Sequence, residues 1–540
     1  MAPNADQLAF ADLPIAPILA LAPAGCGKTE ALALRARAAI ARGDIASPRK
    51  VLALTYSNKA KTNLAARMAS CVGPGWRQRI VVTNLHGLAA RIIRAHGATV
   101  GVPQDVALPE APRRRRKLRE LGINWNNSTP FENALAAAKS GDYDNDEVMA
   151  RLIASGHETA IAYEKALRAD RRLDYDDLIR HAARLMAIPA VARLYQQHFA
   201  LVLVDEVQDL SMLQYRLVAA VGGDKITFAG DPAQGIYSFA GADPDGVFAA
   251  IDAQHPEVVE FKLSYRSSPA VLRAINALAT EMQSTQLTCA DEHRWADEGH
   301  VLSFESHDTD LEAASVLNHI EEVLRDERAT VGVVLRRSSR ADELRAAARE
   351  RGIPFEDWAL ATHVPEVVER LKRAYTQAAR QGTTDTEVLH HLSQLCRASL
   401  DSDDADTLDE LASALEQLEE AMAAGTSLRD ALAGCRVSPD PSAPVAPGLH
   451  LLTGHKGKGQ EFDWVIVLGL EAGHIPDFRN EDDHQVNEEL RVLHVMASRA
   501  RYGLAFTYSR ATRTKYGWRD SAPSRWLDLV NSAATERRAS

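Results

Sequence analysis

The pentapeptide DEVQD at residues 205–209 directly follows the apolar run LVLV at 201–204. Such a run is typical of a strand that is buried on both faces of a parallel sheet. The carboxyl end of such a strand is where an α/β sheet binds its ligand. Two adjacent carboxylates there, Asp205 and Glu206, suit nucleoside triphosphate hydrolysis, in which one helps to hold Mg²⁺ and the other orients the attacking water. The sequence therefore predicts an α/β fold with a nucleotide site at this strand end.

A glycine-rich loop upstream supplies the other half of the predicted site. Residues 17–29 read PILALAPAGCGKT, an apolar strand that breaks into a turn before an Ala- and Leu-rich helix. The glycines let backbone N–H groups face phosphate oxygens, the lysine supplies a charge for the β- and γ-phosphates, and the threonine supplies a hydroxyl for Mg²⁺. An accidental glycine-rich turn is the alternative, but the downstream DEVQD argues against it. The predicted phosphate-binding residues are Ala24, Gly25, Cys26, Gly27, Lys28 and Thr29. Thr29 and Asp205 are the predicted Mg²⁺ ligands, and Lys28, Asp205 and Glu206 are predicted to be catalytic.

Length and composition set the broad class. The chain has 540 residues, 46% hydrophobic and 25% charged, which fits a globular protein of several domains. No apolar stretch is long enough for a bilayer span, the first residues lack a secretion signal, and the five cysteines show no CxxC spacing. We therefore expect a cytoplasmic protein without membrane contact or a zinc site. The net charge of −11 describes the whole surface and leaves room for a local basic groove.

Further motifs follow in order along the chain. They are VLALTYSNKA at 51–60, NLHGLA at 84–89, FAGDPAQGIYSFAGAD at 228–243, LSYRSS at 263–268, TGHKGKGQEFDWVIVLGL at 453–470 and NEELRVLHVMASRA at 487–500. In type and order these resemble the motifs of the UvrD/Rep/PcrA group of superfamily 1 DNA helicases, in which the carboxylate motif takes the form DExQD. The resemblance covers nearly the whole chain apart from two helical insertions.

The resemblance implies two RecA-like P-loop NTPase domains with parallel sheets, each carrying a mainly helical insertion. ATP would bind at their interface and single-stranded DNA would cross their tops. We expect the first domain to comprise 1–85 and 190–262, interrupted by a helical insertion at 86–189. The second domain would comprise 263–356 and 448–540, interrupted by a short helical accessory insertion at 357–447.

The resemblance also implies roles for residues outside the two nucleotide motifs. Gln234 would sense the γ-phosphate, and Arg266 and Arg499 would act as arginine fingers on the transferred phosphoryl group. Gln7 would read adenine, Tyr265 would stack on it, and Glu461 would accept a hydrogen bond from the ribose. A surface ion pair is the alternative for either arginine, and a core or surface role is the alternative for Gln7.

A DNA track is inferred from aromatic residues in the motif loops. Tyr56, Tyr237 and Phe239 resemble positions that stack on successive bases, an interaction that tolerates any sequence. Asn58, Lys59 and His86 would contact the DNA backbone. Aromatic residues at strand ends are otherwise often part of the core. Several positions depart from the family pattern: Glu30 and His494 stand where relatives carry Arg and Tyr, and Phe239 and Ala240 replace a Trp and an Arg.

The resemblance predicts an ATP-dependent DNA helicase or translocase that moves 3′ to 5′ on single-stranded DNA and unwinds duplex. ATP and Mg²⁺ would be its cofactors, and single-stranded and tailed duplex DNA its partners. The alternative is a DNA-activated ATPase that senses DNA ends or gaps. Such a protein would regulate a partner nuclease or repair protein, in antiphage defence or recombination, and would unwind little DNA itself.

Overall fold

The computed structural model divides the chain into two units by backbone contacts. The sheet unit comprises Met1–Leu85, Met186–Ala359 and Pro444–Ser540, and the insertion unit comprises His86–Leu185 and Leu360–Ala443. The structure describes residues 3–109, 114, 117, 118, 120–123, 128–358, 362, 363, 365–398, 411, 414, 415, 418, 419, 421, 422, 426–437, 445–479, 482–514 and 517–535. The four-part division of the chain expected above remains a prediction.

The first half of the sheet unit is built on a six-stranded parallel sheet. Its strands are β1 (Ile18–Leu21), β2 (Lys50–Thr55), β3 (Ile80–Asn84), β4 (Phe199–Asp205), β5 (Ile226–Gly230) and β6 (Glu257–Glu260). They lie in the order β3-β2-β4-β5-β1-β6, and every pairing is parallel. All residues of β4 and β5 are buried, as their apolar sequences predict.

A second parallel sheet of six strands follows in the same unit. The other strands in the described part of the chain are β7 (Leu263–Ser264), β8 (Thr288–Cys289), β9 (His300–Ser306), β10 (Thr330–Leu335), β11 (Phe355–Asp357), β12 (Thr362–His363), β13 (Arg436–Val437), β14 (Gly448–Thr453), β15 (Phe462–Val467), β16 (Ala500–Ser509), β17 (Ala511–Thr514) and β18 (Gly517–Asp520). The second sheet has the order β11-β14-β10-β15-β16-β9. β7 pairs with β8, β12 with β13, and β17 with β18. These two sheets confirm the predicted α/β class.

Helices cover the sheets and form most of the insertion unit. Those of the sheet unit are Ala5–Asp12, Lys28–Ala41, Asn58–Val72, Trp76–Arg79, Pro189–His198, Met212–Gly222, Pro244–Asp252, Pro269–Glu281, Thr309–Val323, Asp342–Glu350, Gly454–Gly457, Asp483–Ala497 and Leu527–Thr535. Those assigned mainly to the insertion unit are Leu85–His96, Ser128–Lys139, Asn145–Ser155, Glu158–Ala169, Tyr175–Met186, Pro365–Ala378, Asp385–Ala398 and Leu428–Gly434. Within the described ranges, no helix is both long and apolar enough to cross a membrane.

The insertion unit contains a buried charge cluster. Lys139 Nζ lies 2.8 Å from Glu164, 2.7 Å from Asp174 and 2.9 Å from Asp177, and the lysine side chain is fully buried. Arg180 donates to Asp177 over 2.8 Å, and Arg168 pairs with Glu164 over 3.0 Å. Because buried carboxylates need counter-charges, Lys139 ties the helices Ser128–Lys139, Glu158–Ala169 and Tyr175–Met186 together at one point.

Candidate functional site

The neighbouring strands β4, β5 and β1 bring the nucleotide motifs to one edge of the first sheet. β1 leads into the glycine-rich loop, β4 ends at Asp205, and β5 ends immediately before Asp231. Because the strands are parallel, their carboxyl ends share an edge. The sheet therefore collects residues that lie roughly two hundred positions apart in the sequence.

The glycine-rich loop has a conformation that only glycine adopts easily. Gly25 and Gly27 have φ values of 89° and 74°, and Gly27 caps the helix Lys28–Ala41. A Cβ atom at Gly25 would lie 2.7 Å from Cβ of Arg266, and one at Gly27 would lie 2.6 Å from Nε2 of Gln7. The loop thus exposes its backbone N–H groups at the N-terminus of this helix, and such a helix end is suited to binding anions. Ala24 is half-buried beside it.

Cys26, in the middle of this loop, is an inert part of its scaffold. The thiol is buried and contacts the carbonyl of Phe261 over 3.5 Å. Burial raises the pKa of Cys26 to about 12. The thiolate needed for reactivity is therefore absent at neutral pH.

Lys28 joins the loop to the carboxylates of DEVQD. Its Nζ lies 3.3 Å from Asp205 and 2.7 Å from Glu206. Burial alone would lower the pKa of Lys28, but the charges of Glu206 and Asp205 raise it. Burial raises the pKa of Asp205 to about 6 against the opposing charge of Lys28. Burial also opposes ionisation of Glu206, but Lys28 and Lys458 outweigh it and lower the pKa of Glu206 to about 2.

Glu206 has a strained backbone, with φ 59° and ψ 48° in the left-handed region. This conformation costs energy for a residue other than glycine, and such strain clusters at functional sites. Its amide donates to Asp205 over 3.0 Å, and Gln208 Nε2 donates to its carboxylate. The structure therefore fixes this carboxylate by both backbone and side-chain contacts.

Gln234 lies on the turn after β5 and is held by a neighbouring carboxylate. Its Nε2 donates to Asp231 over 2.8 Å, while the amide of Asp231 donates to Gln208 Oε1 over 3.1 Å. Gln234 and Asp231 are both buried. The two glutamines of the nucleotide motifs are thus connected through Asp231, a residue that sequence reasoning did not select.

Lys458, which the sequence analysis also missed, links the two halves of the sheet unit. Its Nζ lies 2.6 Å from Asp209 and donates to the carbonyl of Gln234 over 2.7 Å. It also lies 4.7 Å from the centre of the Tyr237 ring. The second lysine of HKGK at 455–458 was the available signal, but nothing local distinguishes it from Lys456.

Arg266 and Arg499 lie close together near the second sheet. Arg266 contacts Glu461 Oε1 over 2.7 Å, and its NH1 donates to the carbonyl of Ser498 over 3.0 Å. Arg499 is buried, and donates to the Val495 carbonyl over 2.9 Å and to Ser498 Oγ over 2.7 Å. Burial, followed by repulsion from Arg266, lowers the pKa of Arg499 to about 9.

The predicted base-binding residues meet through Asn4. Asn4 caps the helix Ala5–Asp12, exchanges capping hydrogen bonds with Gln7, and donates to the Tyr265 hydroxyl over 2.6 Å. Gln7 Nε2 also approaches the carbonyls of Cys26 and Gly27, each at 3.4 Å. Sequence reasoning missed Asn4, although an Asn three residues before a Gln is a recognisable capping signal.

Glu30 directly follows the glycine-rich loop and Thr29 and has an arginine partner. It pairs with Arg67 of the helix Asn58–Val72 over 3.2 Å. Thr29 precedes it in the first turn of the helix Lys28–Ala41 and is half-buried.

Three predicted DNA-track aromatics form one cluster. Tyr56 and Tyr237 stack with ring centres 6.2 Å apart, and Phe239 lies 6.1 Å from Tyr237. His455 lies 5.1 Å from Phe239 and was not predicted. Phe239 is 72% exposed, which is unusual for a large apolar side chain and excludes a core role.

The remaining predicted DNA contacts are His86, Asn58 and Lys59. His86 belongs to the insertion unit, where it meets Tyr175 edge-on with ring centres 5.5 Å apart. Burial lowers its pKa, opposed by Asp176. The side chains of Asn58 and Lys59 lie outside the described residues.

Two protein-family models match the chain. The UvrD/REP helicase N-terminal domain matches residues 3–254, and the UvrD-like helicase C-terminal domain matches residues 360–511. The chain belongs to the UvrD/Rep helicase family. The recognition made from the motif series is therefore confirmed.

Individual relatives of this UvrD-type chain cover most of its length. It is 27% identical to the ATP-dependent DNA helicase UvrD2 of Mycobacterium tuberculosis, over 97% of this chain and 81% of the relative. It is 23% identical to the ATP-dependent DNA helicase PcrA of Staphylococcus epidermidis, over 99% and 88%. It is 29% identical to UvrD1 of Mycobacterium tuberculosis, over 63% and 47%. Membership of the UvrD-type helicases leaves the role of each side chain as a prediction.

Proposed function

We propose that this chain is an ATP-dependent DNA helicase motor that moves 3′ to 5′ along single-stranded DNA. The observation that carries the proposal is the approach of the two halves of the sheet unit at the glycine-rich loop. The Tyr265 amide donates to the Gly25 carbonyl over 2.9 Å, and Arg266 follows directly. Cations from one half thus lie against a phosphate-binding loop of the other, so nucleotide binding can change how the halves meet.

Within this proposal, side chains of the first half bind and activate the triphosphate. Lys28 neutralises phosphate charge, Glu206 orients the attacking water, and Gln234 contacts the γ-phosphate. Thr29 and Asp205 offer the hydroxyl and carboxylate oxygens that Mg²⁺ prefers, and the ion would neutralise charge on the phosphates when bound. Gln7, Tyr265 and Glu461 would hold the base and ribose.

The second half would supply the transition-state cations. Arg266 already has a carboxylate partner in Glu461, whereas Arg499 has none within 4.0 Å among the described residues and contacts a carbonyl and a hydroxyl instead. A buried guanidinium without a carboxylate in direct contact favours an incoming anion. We therefore assign Arg499 the larger role on the transferred phosphoryl group.

The aromatic cluster of Tyr56, Tyr237 and Phe239 would carry single-stranded DNA. The Tyr237 hydroxyl donates to the His455 carbonyl over 3.3 Å, and Lys458 reaches from the Tyr237 ring to Asp209 of DEVQD. The cluster is therefore two contacts away from Asp209, whose amide donates to the Glu206 carbonyl over 3.0 Å. This short connection supports coupling of base stepping to ATP hydrolysis, with 3′ to 5′ polarity inferred from the family resemblance.

The proposal is tested by ATP hydrolysis and by movement. We expect oligo(dT) to stimulate Mg²⁺-dependent hydrolysis, and Lys28→Ala to lower the stimulated rate by about 10²–10³-fold, the scale for losing a preorganised electrostatic group. Lys262→Ala is the control, because Lys262 is an exposed lysine of the same unit. Tyr56→Ala combined with Phe239→Ala should reduce stimulation while sparing nucleotide binding.

Polarity is read from streptavidin displacement on end-biotinylated oligonucleotides. Displacement from the 5′ end supports the proposal, and displacement from the 3′ end alone contradicts its polarity. Stimulated hydrolysis with no displacement from either end would instead support the DNA-sensing ATPase, which would act through a partner nuclease or repair protein. An ATPase rate that DNA does not change would contradict both functions.

A further inference from the structure

Ser498 contacts both arginines through different atoms. Its carbonyl accepts from Arg266 NH1 over 3.0 Å, whereas its hydroxyl oxygen accepts from Arg499 NH2 over 2.7 Å. The same hydroxyl donates to the Val495 carbonyl over 2.9 Å. Ser498 is 3% exposed, so water does not compete for these contacts.

The hydroxyl is oriented before it meets Arg499. Because its proton is used on Val495, its lone pairs must face the guanidinium, and an accepting oxygen suits a cation. Arg499 Nε donates to the same Val495 carbonyl over 2.9 Å. Serine, carbonyl and guanidinium thus form a closed set of hydrogen bonds at the end of the helix Asp483–Ala497.

Such a set matters here because the two arginines repel each other. Glu461 is in direct contact with Arg266 and acts on Arg499 at longer range, since no described carboxylate lies within 4.0 Å of Arg499. Without the Ser498 hydroxyl, the guanidinium would keep only its contact with the Val495 carbonyl and could turn from the position that a phosphoryl group requires. Misplacement by about 1 Å is enough to cost a large factor in rate.

We propose that Ser498 is a positioning residue that sets the separation and direction of Arg266 and Arg499 toward one phosphoryl group. The inference rests on the proposed ATPase function. Its side chain acts on Arg499 and its backbone acts on Arg266. Removal of the hydroxyl therefore affects Arg499 and leaves the Arg266 contact in place.

The test is a pair of double-mutant cycles on DNA-stimulated ATP hydrolysis. We expect Ser498→Ala to lower kcat by about tenfold or more, the scale of a hydrogen bond to a charged group, with KM for ATP nearly unchanged. Ser498→Ala combined with Arg499→Ala should be no slower than Arg499→Ala alone. Ser498→Ala combined with Arg266→Ala should show the product of the two single effects.

Matched variants separate positioning from packing. Ser498→Thr keeps the hydroxyl and should retain turnover, whereas Ser498→Cys keeps a side chain of similar shape with a poor acceptor and should resemble Ser498→Ala. Thermal melting and binding of a fluorescent ADP analogue establish that each variant is folded. If Ser498→Ala did not fold, Ser498→Cys would take its place in both cycles.

Two outcomes would overturn the inference while leaving the proposed function intact. One is a parental kcat in both Ser498→Ala and Ser498→Cys. The other is a multiplicative loss in the Arg499 cycle, which would mean that Ser498 acts independently of Arg499. A parent chain without DNA-stimulated hydrolysis would overturn the proposed function itself.

Discussion

At the scale of single residues, the two arginines differ in what neutralises them. Arg266 faces Glu461 at 2.7 Å, whereas Arg499 is buried against a carbonyl and a hydroxyl. A cation that lacks a fixed counter-ion gains more when negative charge develops nearby. The difference gives the two residues separable kinetic signatures.

Arg499→Ala should lower the DNA-stimulated kcat by about 10³-fold or more, in the range found for arginine fingers. Arg266→Ala should lower it less and raise KM for ATP as well, because it also frees Glu461. Arg501→Ala, two positions beyond Arg499 and paired with Asp463, is the control. Steady-state kcat and KM decide the matter. A variant of Arg499 that lost affinity alone, at parental kcat, would remove it from the reaction.

The sequence motifs predicted which residues belong to the candidate site better than they predicted how those residues contact one another. Lys28, Asp205 and Glu206 could be selected because each belongs to a short motif with a chemical reason for its spacing. The contact between Lys458 and Asp209 joins residues 249 positions apart. Its geometry depends on how two sheets pack, which no local pattern encodes. Asn4 and Ser498 were not predicted for a related reason. Each contacts a side chain that was itself predicted, and such a contact is not visible in the sequence.

At the scale of elements, buried parallel strands were the most predictable. The apolar runs at 201–204, 226–229, 331–335 and 464–468 all lie in or overlap central strands, because a strand covered on both faces needs continuous apolar residues. Edge strands were harder to recognise. β6 reads EVVE and is mostly exposed, so its sequence carries little apolar signal. Its position is fixed by pairing with β1.

The buried cluster around Lys139 gives a prediction at this scale. Lys139→Met should lower the free energy of unfolding by about 3–5 kcal/mol, because it leaves buried carboxylates without their shared counter-charge. Lys165→Met, at an exposed position on the helix Glu158–Ala169, should change it by less than about 0.5 kcal/mol. Urea and thermal unfolding followed by circular dichroism measure both. Equal stability of the two variants would show that the cluster is not what joins these helices.

At the scale of the whole molecule, movement and strand separation place different demands on the chain. The sheet unit contains both sheets and the aromatic cluster. Strand separation also needs a surface that grips duplex phosphates, which requires Lys and Arg. Residues 401–420 of the predicted accessory insertion are instead rich in Asp and Glu, and the structure describes only 411, 414, 415, 418 and 419 among them.

We therefore expect the purified chain to translocate well and to unwind weakly. The basic run at 113–117 is the alternative source of duplex contacts, but its described members Arg114 and Lys117 already pair with acidic residues of the insertion unit. A strand-displacement assay on a 3′-tailed duplex, run beside the streptavidin assay, measures both activities. Fast and processive unwinding by the chain alone would contradict this expectation.

The bare backbone at Gly25 also has a mechanical consequence. A Cβ atom at this position would lie 2.7 Å from Cβ of Arg266, so a methyl group there would hold the two halves of the sheet unit apart. Under the proposed function, the glycine-rich loop would also provide the space that the two halves need in order to close. We therefore expect a substitution at Gly25 to limit closure of the two halves even in a protein that still binds nucleotide. Such a variant would bind ATP without converting its hydrolysis into movement.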